Sequence, residues 1–126
     1  MSHSSETTGD ALALERALRS LRCLPFRRAF YEEVSSRAIS SVELCSREDW
    51  PRLVFAPFGE ERAEAHFLWL IRLGVLRREV DGQGLTERVR LTPLGRKVLD
   101  RIPAEIPRAG LRERILENFR RHRPRF

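Results

Sequence analysis

The apolar residues of the chain recur at the spacing of an amphipathic α-helix in four long segments. Side chains at i, i+3 or i+4 and i+7 share one face of a helix, and this face usually packs against a core. One example is the series Leu111, Ile115 and Phe119. The pattern predicts helices over residues 11–24, 26–37, 60–73 and 109–122.

Two shorter helices are predicted from capping signals. Ser40 and Glu43 have the spacing of a capping box, in which the serine hydroxyl accepts a hydrogen bond from the amide three residues later. A helix over residues 42–49 is predicted to follow and to end before Pro51. Thr92, which precedes a proline, suits the N-cap of another helix that ends near residue 101.

The periodicity changes after Gly74 to that of β-strands. Residues 75–80 and 87–91 are strand-like, and the segment 81–86 between them contains an Asp-Gly pair and a second glycine. This combination predicts a β-hairpin with a mobile tip. Residues 50–59 contain two prolines and a glycine and predict a non-helical connection. The expected fold class is therefore mainly α with a small β-hairpin, an α+β arrangement.

The composition is that of one folded domain. The chain has 126 residues, of which 41% are apolar and 33% are charged, as in ordinary globular proteins. The polar residues 1–10 predict a disordered leader, and residues 11–126 predict a single domain whose core lies in residues 26–101. No apolar run approaches the roughly 18 residues of a membrane span, and the first residues do not resemble a signal peptide. We therefore expect a cytoplasmic protein without a membrane partner.

The net charge of +6 is concentrated at the C-terminus. Residues 108–126 carry seven arginines against two glutamates, whereas the rest of the chain is nearly neutral. The basic C-terminal helix, predicted over residues 108–122, is therefore a candidate for contact with nucleic acid or with an acidic protein partner.

The sequence contains no recognisable catalytic or metal-binding constellation. Cys23 and Cys45 lie far apart without neighbouring histidines, which indicates free thiols. His66 stands among aromatic residues of a predicted helix and is expected to be a packed or surface imidazole. A glycine-rich phosphate loop and a Ser-His-Asp set are both missing. We therefore expect a protein that is not an enzyme and requires no cofactor and no metal.

The order of the predicted elements resembles that of a winged helix-turn-helix domain, with extra helices at both ends. Residues 38–44 resemble the entry to the first helix of the helix-turn-helix pair, and residues 70–77 resemble the passage from a recognition helix into a wing. Residues 91–95 are similar to the Leu-Thr-x-x-Gly phrase that follows the wing in bacterial regulators of the MarR and PadR type. The whole chain also resembles a family of small, uncharacterised cyanobacterial winged-helix proteins.

This resemblance implies a DNA-binding regulator. In the family, the long helix enters the major groove and basic residues of the wing contact the flanking phosphates. Terminal helices of such regulators commonly form a homodimer, which here implies an interface of Leu14, Leu18, Leu111, Ile115 and Phe119. The DNA-binding residues that the resemblance implies are Arg62, Ala65, Trp69 and Arg72 of the long helix and Arg77, Arg78, Arg88 and Arg90 of the hairpin.

Two features of the helix over residues 60–73 favour an alternative function. Three of its first five residues are glutamates, which repel phosphates. Leu68 and Trp69 are predicted to point outward, where an apolar pair needs a cover from the C-terminal helix or from a partner. The alternative is a winged-helix protein–protein interaction module that does not bind DNA and that uses the exposed face of helix 60–73 and the basic C-terminal arm. In the hairpin, cross-strand ion pairs such as Arg78 with Glu87 are the alternative to phosphate contacts.

Overall fold

Seven helices and one β-hairpin make up the part of the chain that the structure describes, residues 4–122 of a computed structural model. None of these helices is long and apolar enough to cross a membrane. In chain order the elements are α1 (Ser4–Cys23), α2 (Arg28–Ser36), α3 (Ser41–Ser46), α4 (Trp50–Leu53), α5 (Glu60–Arg72), β1 (Leu76–Asp81), β2 (Gly84–Leu91), α6 (Pro93–Asp100) and α7 (Leu111–Arg121).

The element bounds differ from the predicted ones at several places. α3 ends at Ser46, three residues before the predicted end at residue 49. α1 begins at Ser4, so residues 4–10 are helical where the sequence pattern predicts a disordered leader, and residues 1–3 lie outside the described part. The connection over residues 50–59 includes the short helix α4, which corrects the prediction that it is non-helical. Pro51 lies in the first turn of α4, where its missing amide costs no helical hydrogen bond.

The core is built around stacked aromatic rings from α2, α5 and the residues before α2. The ring centroids of Phe26 and Phe30 lie 4.3 Å apart, and that of Phe67 lies 5.8 Å from Phe30. All three side chains are fully buried, as are Ala63 and Leu70 on the same side of α5. This packing fixes the rotation of α5 about its axis and leaves its opposite side to solvent.

The antiparallel hairpin of β1 and β2 is attached to the helices at the buried Val89. The backbone of Val89 exchanges two hydrogen bonds, of 2.9 and 3.2 Å, with Ile39 in the connection between α2 and α3. The turn is shorter than predicted, because Asp81 already pairs with Gly84 and two residues lie between them. The predicted fold class, mainly helical with a small hairpin, is confirmed.

The Leu-Thr-x-x-Gly phrase at residues 91–95 forms a joint between α5, the hairpin and α6. The Thr92 hydroxyl accepts a hydrogen bond from the Gly95 amide at 3.0 Å and donates one to the carbonyl of Gly74. Gly74 ends α5 in the left-handed region, with φ of 85°. A Cβ atom added at Gly95 would lie 2.5 Å from the carbonyl oxygen of Val75, so this position has no room for a side chain.

We therefore expect Gly95→Ala to lower the free energy of unfolding by about 1–3 kcal/mol, because the joint must shift to admit a methyl group. Chemical denaturation of the purified protein measures this loss. The matched control is Gly9→Ala in α1, where an added Cβ has no neighbour within 4 Å. This control should be stabilised by up to about 1 kcal/mol through helix propensity. Equal effects of the two substitutions would contradict the close approach at Gly95.

Candidate functional site

The solvent side of α5 forms an exposed strip, which we call the α5 face. It consists of Glu61, Arg62, Ala65, Leu68 and Arg72, all of them exposed. Three of the predicted DNA-binding residues, Arg62, Ala65 and Arg72, are therefore accessible. Leu68 keeps 55% of its surface exposed, so the predicted outward position of this leucine is confirmed.

Trp69 does not belong to the α5 face, contrary to the prediction. Its indole is half-buried against the core, and Nε1 donates a hydrogen bond to the Ser20 hydroxyl of α1 at 3.3 Å. The guanidinium of Arg121 from α7 lies over the ring, 5.9 Å from its centroid. Because α1 and α7 cover Trp69 within the same chain, its side chain is not free to contact DNA.

Arg78 and Arg90 of the hairpin are held by carboxylates. Arg90 Nε donates to Glu79 Oε2 at 2.8 Å, and this hydrogen bond lowers the pKa of Glu79. Arg78 pairs with Glu64 of α5 and also donates to the backbone carbonyl of Glu87 at 2.8 Å. The predicted contact between Arg78 and Glu87 is thus made through the backbone, since Glu64 supplies the carboxylate. Both arginines are half-buried.

Arg77 and Arg88 are the more accessible arginines of the hairpin. Arg77 lies 3.7 Å from Glu79, and Arg88 lies 4.0 Å from Asp81. Exposed ion pairs at such separations contribute little to stability. These two guanidinium groups can therefore exchange a carboxylate for a phosphate at small cost.

The polar side of α7 packs against the body of the protein. Glu117 is only 5% exposed, and its carboxylate accepts hydrogen bonds from the Ser20 hydroxyl at 2.7 Å and from Arg19 Nε at 3.2 Å. Because the Ser20 hydroxyl also accepts a hydrogen bond from the indole N–H of Trp69, one hydrogen-bond network joins α1, α5 and α7.

A second contact closes the seam between α1 and α7. Arg22 Nη1 lies 3.3 Å from the Glu113 carboxylate, and Cys23 Sγ lies 3.9 Å from the Glu113 carbonyl oxygen. Burial, and then the negative charges of Glu117 and Glu113, raises the pKa of the Cys23 thiol. This thiol is therefore kept in its neutral form beneath α7.

The apolar side of α7 faces solvent. We call it the α7 stripe, and it comprises Leu111, Ile115, Leu116 and Phe119. All of these residues except Leu116 belong to the predicted dimer interface, and Phe119 is 71% exposed. The two interface residues predicted in α1 are not accessible in the same way. Leu14 is buried in the core and Leu18 packs against it, because the apolar side of α1 faces inward.

An open cleft of about 810 Å³ separates the first half of α5 from α7. We call it the α5–α7 cleft. Arg62 and Ala65 line it from α5, and Arg114, Ile115 and Arg121 line it from α7. The cleft thus brings an arginine of the α5 face next to two arginines of the C-terminal helix.

His66 forms the inner wall of this cleft as a neutral imidazole. Arg121 Nη1 donates a hydrogen bond to His66 Nδ1 at 2.9 Å, which leaves the proton of the ring on Nε2. Burial, and then the positive charges of Arg121 and Arg62, lowers the pKa of His66 to about 3. Within residues 4–122, no group of three or more histidine, cysteine or carboxylate side chains is arranged to hold a metal ion.

The sequence predicts the arginines of α7 only as a basic segment and does not predict their contribution to this site. One signal was present, because Arg114 and Arg121 are seven residues apart and therefore share a face of the helix. That this face turns toward His66 depends on the burial of Glu117, which the periodicity does not reveal.

Fold and site together define a mainly helical protein with a two-stranded hairpin, an exposed long helix and a basic cleft beside it. The chain belongs to the Npun_F0494-like family, whose model matches residues 7–121. No curated protein and no solved structure matches it significantly.

The low pKa of His66 predicts a loss of stability in mild acid. Between about pH 6.5 and 3 the unfolded chain binds a proton at His66 and the folded chain does not, so the free energy of unfolding falls as pH falls. The expected contribution is about 1.4 kcal/mol per pH unit. Urea unfolding at several pH values should show a smaller slope for His66→Gln than for the wild type. A ¹⁵N spectrum showing a protonated His66 ring at pH 5 in the folded protein would contradict the assignment.

Proposed function

We propose that the protein is a winged helix-turn-helix DNA-binding protein that acts as a homodimeric transcription regulator. The observation that carries this proposal is the exposed α5 face, with Arg62, Ala65 and Arg72, beside a hairpin that exposes Arg77 and Arg88. The major groove admits an α-helix, and arginines suit both base edges and phosphates.

The arrangement of the elements supports the same proposal. α3 and α5 take the positions of the helix-turn-helix pair in chain order, and the hairpin takes that of the wing. The Ile39–Val89 bridge joins the hairpin to the residues that precede α3. The connection between α3 and α5 includes α4 and is longer than the usual turn of three or four residues.

The distribution of unpaired charge indicates which residues would contact phosphates. Among the described side chains, Arg62 and Arg72 have no carboxylate partner, whereas Arg78 and Arg90 are held firmly by Glu64 and Glu79. We therefore assign phosphate contacts to Arg62, Arg72 and the two accessible hairpin arginines. The glutamates in the first turn of α5 oppose DNA but stabilise the positive end of the helix dipole.

The α7 stripe supports self-association. Its large apolar side chains lie on one side of a single helix, and such a patch is costly unless another surface covers it. Two copies of the stripe can pack against each other about a two-fold axis, because a two-fold interface uses the same patch on both subunits. We assign the homodimer contact to Leu111, Ile115 and Phe119.

A protein–protein interaction module without DNA binding is the second candidate. It is favoured by one observation, that each of the four hairpin arginines has a carboxylate within 4.0 Å. In this function the α5 face and the basic C-terminal helix would receive an acidic protein partner.

The DNA-binding proposal predicts salt-sensitive binding that depends on the α5 face. In a fluorescence anisotropy titration with random duplex DNA, Arg72→Gln should weaken binding and lower the slope of log K against log salt by about 0.9. The matched control is Arg16→Gln on the exposed side of α1, which should leave both quantities unchanged. Absence of binding by the wild type at low salt would exclude DNA and favour the second candidate.

The homodimer proposal predicts that a charge in the α7 stripe dissociates the protein. Phe119→Glu should yield a monomer in sedimentation equilibrium at concentrations where the wild type is a dimer. Because the Phe119 side chain is exposed, the circular dichroism of the variant should be unchanged. Leu85→Glu on the hairpin, at a position that is 76% exposed, is the control and should remain dimeric. A monomeric wild type would contradict the proposal.

A further inference from the structure

The α5–α7 cleft has the size of a small-molecule site. Its volume of about 810 Å³ lies within the range of about 300–1,000 Å³ that is common for ligand pockets. Its walls come from two helices that are far apart in sequence, and the network around Glu117 holds them together. The cleft is therefore a defined part of the fold.

The charges in this cleft are not balanced within the part of the chain that the structure describes. Arg62, Arg114 and Arg121 line it together with one carboxylate, that of Glu61. None of the three arginines forms an ion pair among the described side chains, whereas most other arginines of the molecule do. Three converging guanidinium groups thus leave an excess of positive charge.

Arg121 shows this excess most clearly. Its polar partner is the neutral His66, at 2.9 Å, and its guanidinium rests over the Trp69 ring. Neither group neutralises the charge. Burial and then the charge of Arg62 lower the pKa of Arg121, and the carboxylate of Glu117 opposes this effect, but Glu117 is already paired with Arg19 and Arg120. A positive charge that is partly removed from water and lacks a counterion is unfavourable, and an anion would relieve this cost.

Arg114 supplies a second indication of a missing partner. Among the described residues its buried Nε atom has no hydrogen-bond acceptor, a property shared by Arg108 Nε outside the cleft. A buried donor without an acceptor is rare in proteins and calls for one. Arg114 also lines the cleft, and the oxygens of an anion seated between the two helices would accept hydrogen bonds from its guanidinium.

We propose that the α5–α7 cleft binds a small organic phosphate. Phosphate oxygens match the planar fork of guanidinium donors and can be shared among several arginines. Ala65 and Ile115 add apolar wall to the same cleft, so the ligand also carries an apolar portion. A phosphate that carries more than one negative charge suits a site in which three arginines are opposed by one glutamate.

One regulatory consequence rests on the proposed DNA-binding function. Arg62 and Ala65 belong both to the α5 face and to the cleft. A phosphate ligand held by Arg62 would therefore compete with a DNA phosphate for the same guanidinium, and ligand binding would weaken DNA binding. The ligand site itself does not depend on this consequence.

The site is tested by titrating the full chain, without DNA, with phenyl phosphate and with inorganic pyrophosphate, followed by NMR or calorimetry. Phenol serves as the uncharged control ligand. We expect phenyl phosphate to bind with a dissociation constant of about 1 mM or tighter and phenol to bind not at all. Arg62→Gln and Arg114→Gln should each weaken phenyl phosphate binding by about tenfold.

Arg16→Gln on α1 and Arg112→Gln on α7 are matched controls, because both arginines are exposed and lie outside the cleft. They should bind phenyl phosphate as the wild type does. The proposal is overturned if neither phosphate binds, if phenol binds as well as phenyl phosphate, or if the control variants lose as much affinity as the cleft variants. Since no DNA is present, a protein that binds phenyl phosphate but not duplex DNA would retain this site and lose only the proposed regulator function.

Discussion

The position of α7 depends on one buried carboxylate. Glu117 lies beneath the helix and is satisfied by the Ser20 hydroxyl and the Arg19 guanidinium. A buried charge is stable only where it is paired and hydrogen-bonded, so these partners fix which side of α7 faces the protein. The hydroxyl of Ser20 also holds the indole of Trp69. The positions of α1, α5 and α7 relative to one another therefore depend on this network.

A helix attached by its polar side has two consequences for the molecular surface. Its apolar residues are left outside, where they form the α7 stripe. Its inner arginines, Arg114 and Arg121, are turned toward α5 and define the basic cleft. One contact thus produces an apolar surface suited to self-association and a charged recess suited to an anion. The two proposed activities occupy adjoining sides of the same helix, with Ile115 at their border.

The sequence predicts the elements better than it predicts their contacts. The bounds of α5, the Ser40 and Thr92 caps and the hairpin follow from local signals, because capping and turn formation involve residues only a few positions apart. The prediction for Trp69 is wrong, because Ser20, which accepts a hydrogen bond from its indole N–H, lies 49 positions earlier in the chain. For α7, periodicity identifies an apolar stripe but does not state which side faces water. The cleft depends on that choice and could not be predicted.

Cys23 acquires a particular property from its place at the seam between α1 and α7. The thiolate is the reactive form of cysteine, and the glutamates of α7 together with burial disfavour it. Cys23 is partly exposed even with α7 in place, and when α7 detaches both influences weaken, so the thiol reacts more readily with oxidants and alkylating agents. The reaction rate of this thiol therefore rises with the fraction of molecules in which the C-terminal helix is open.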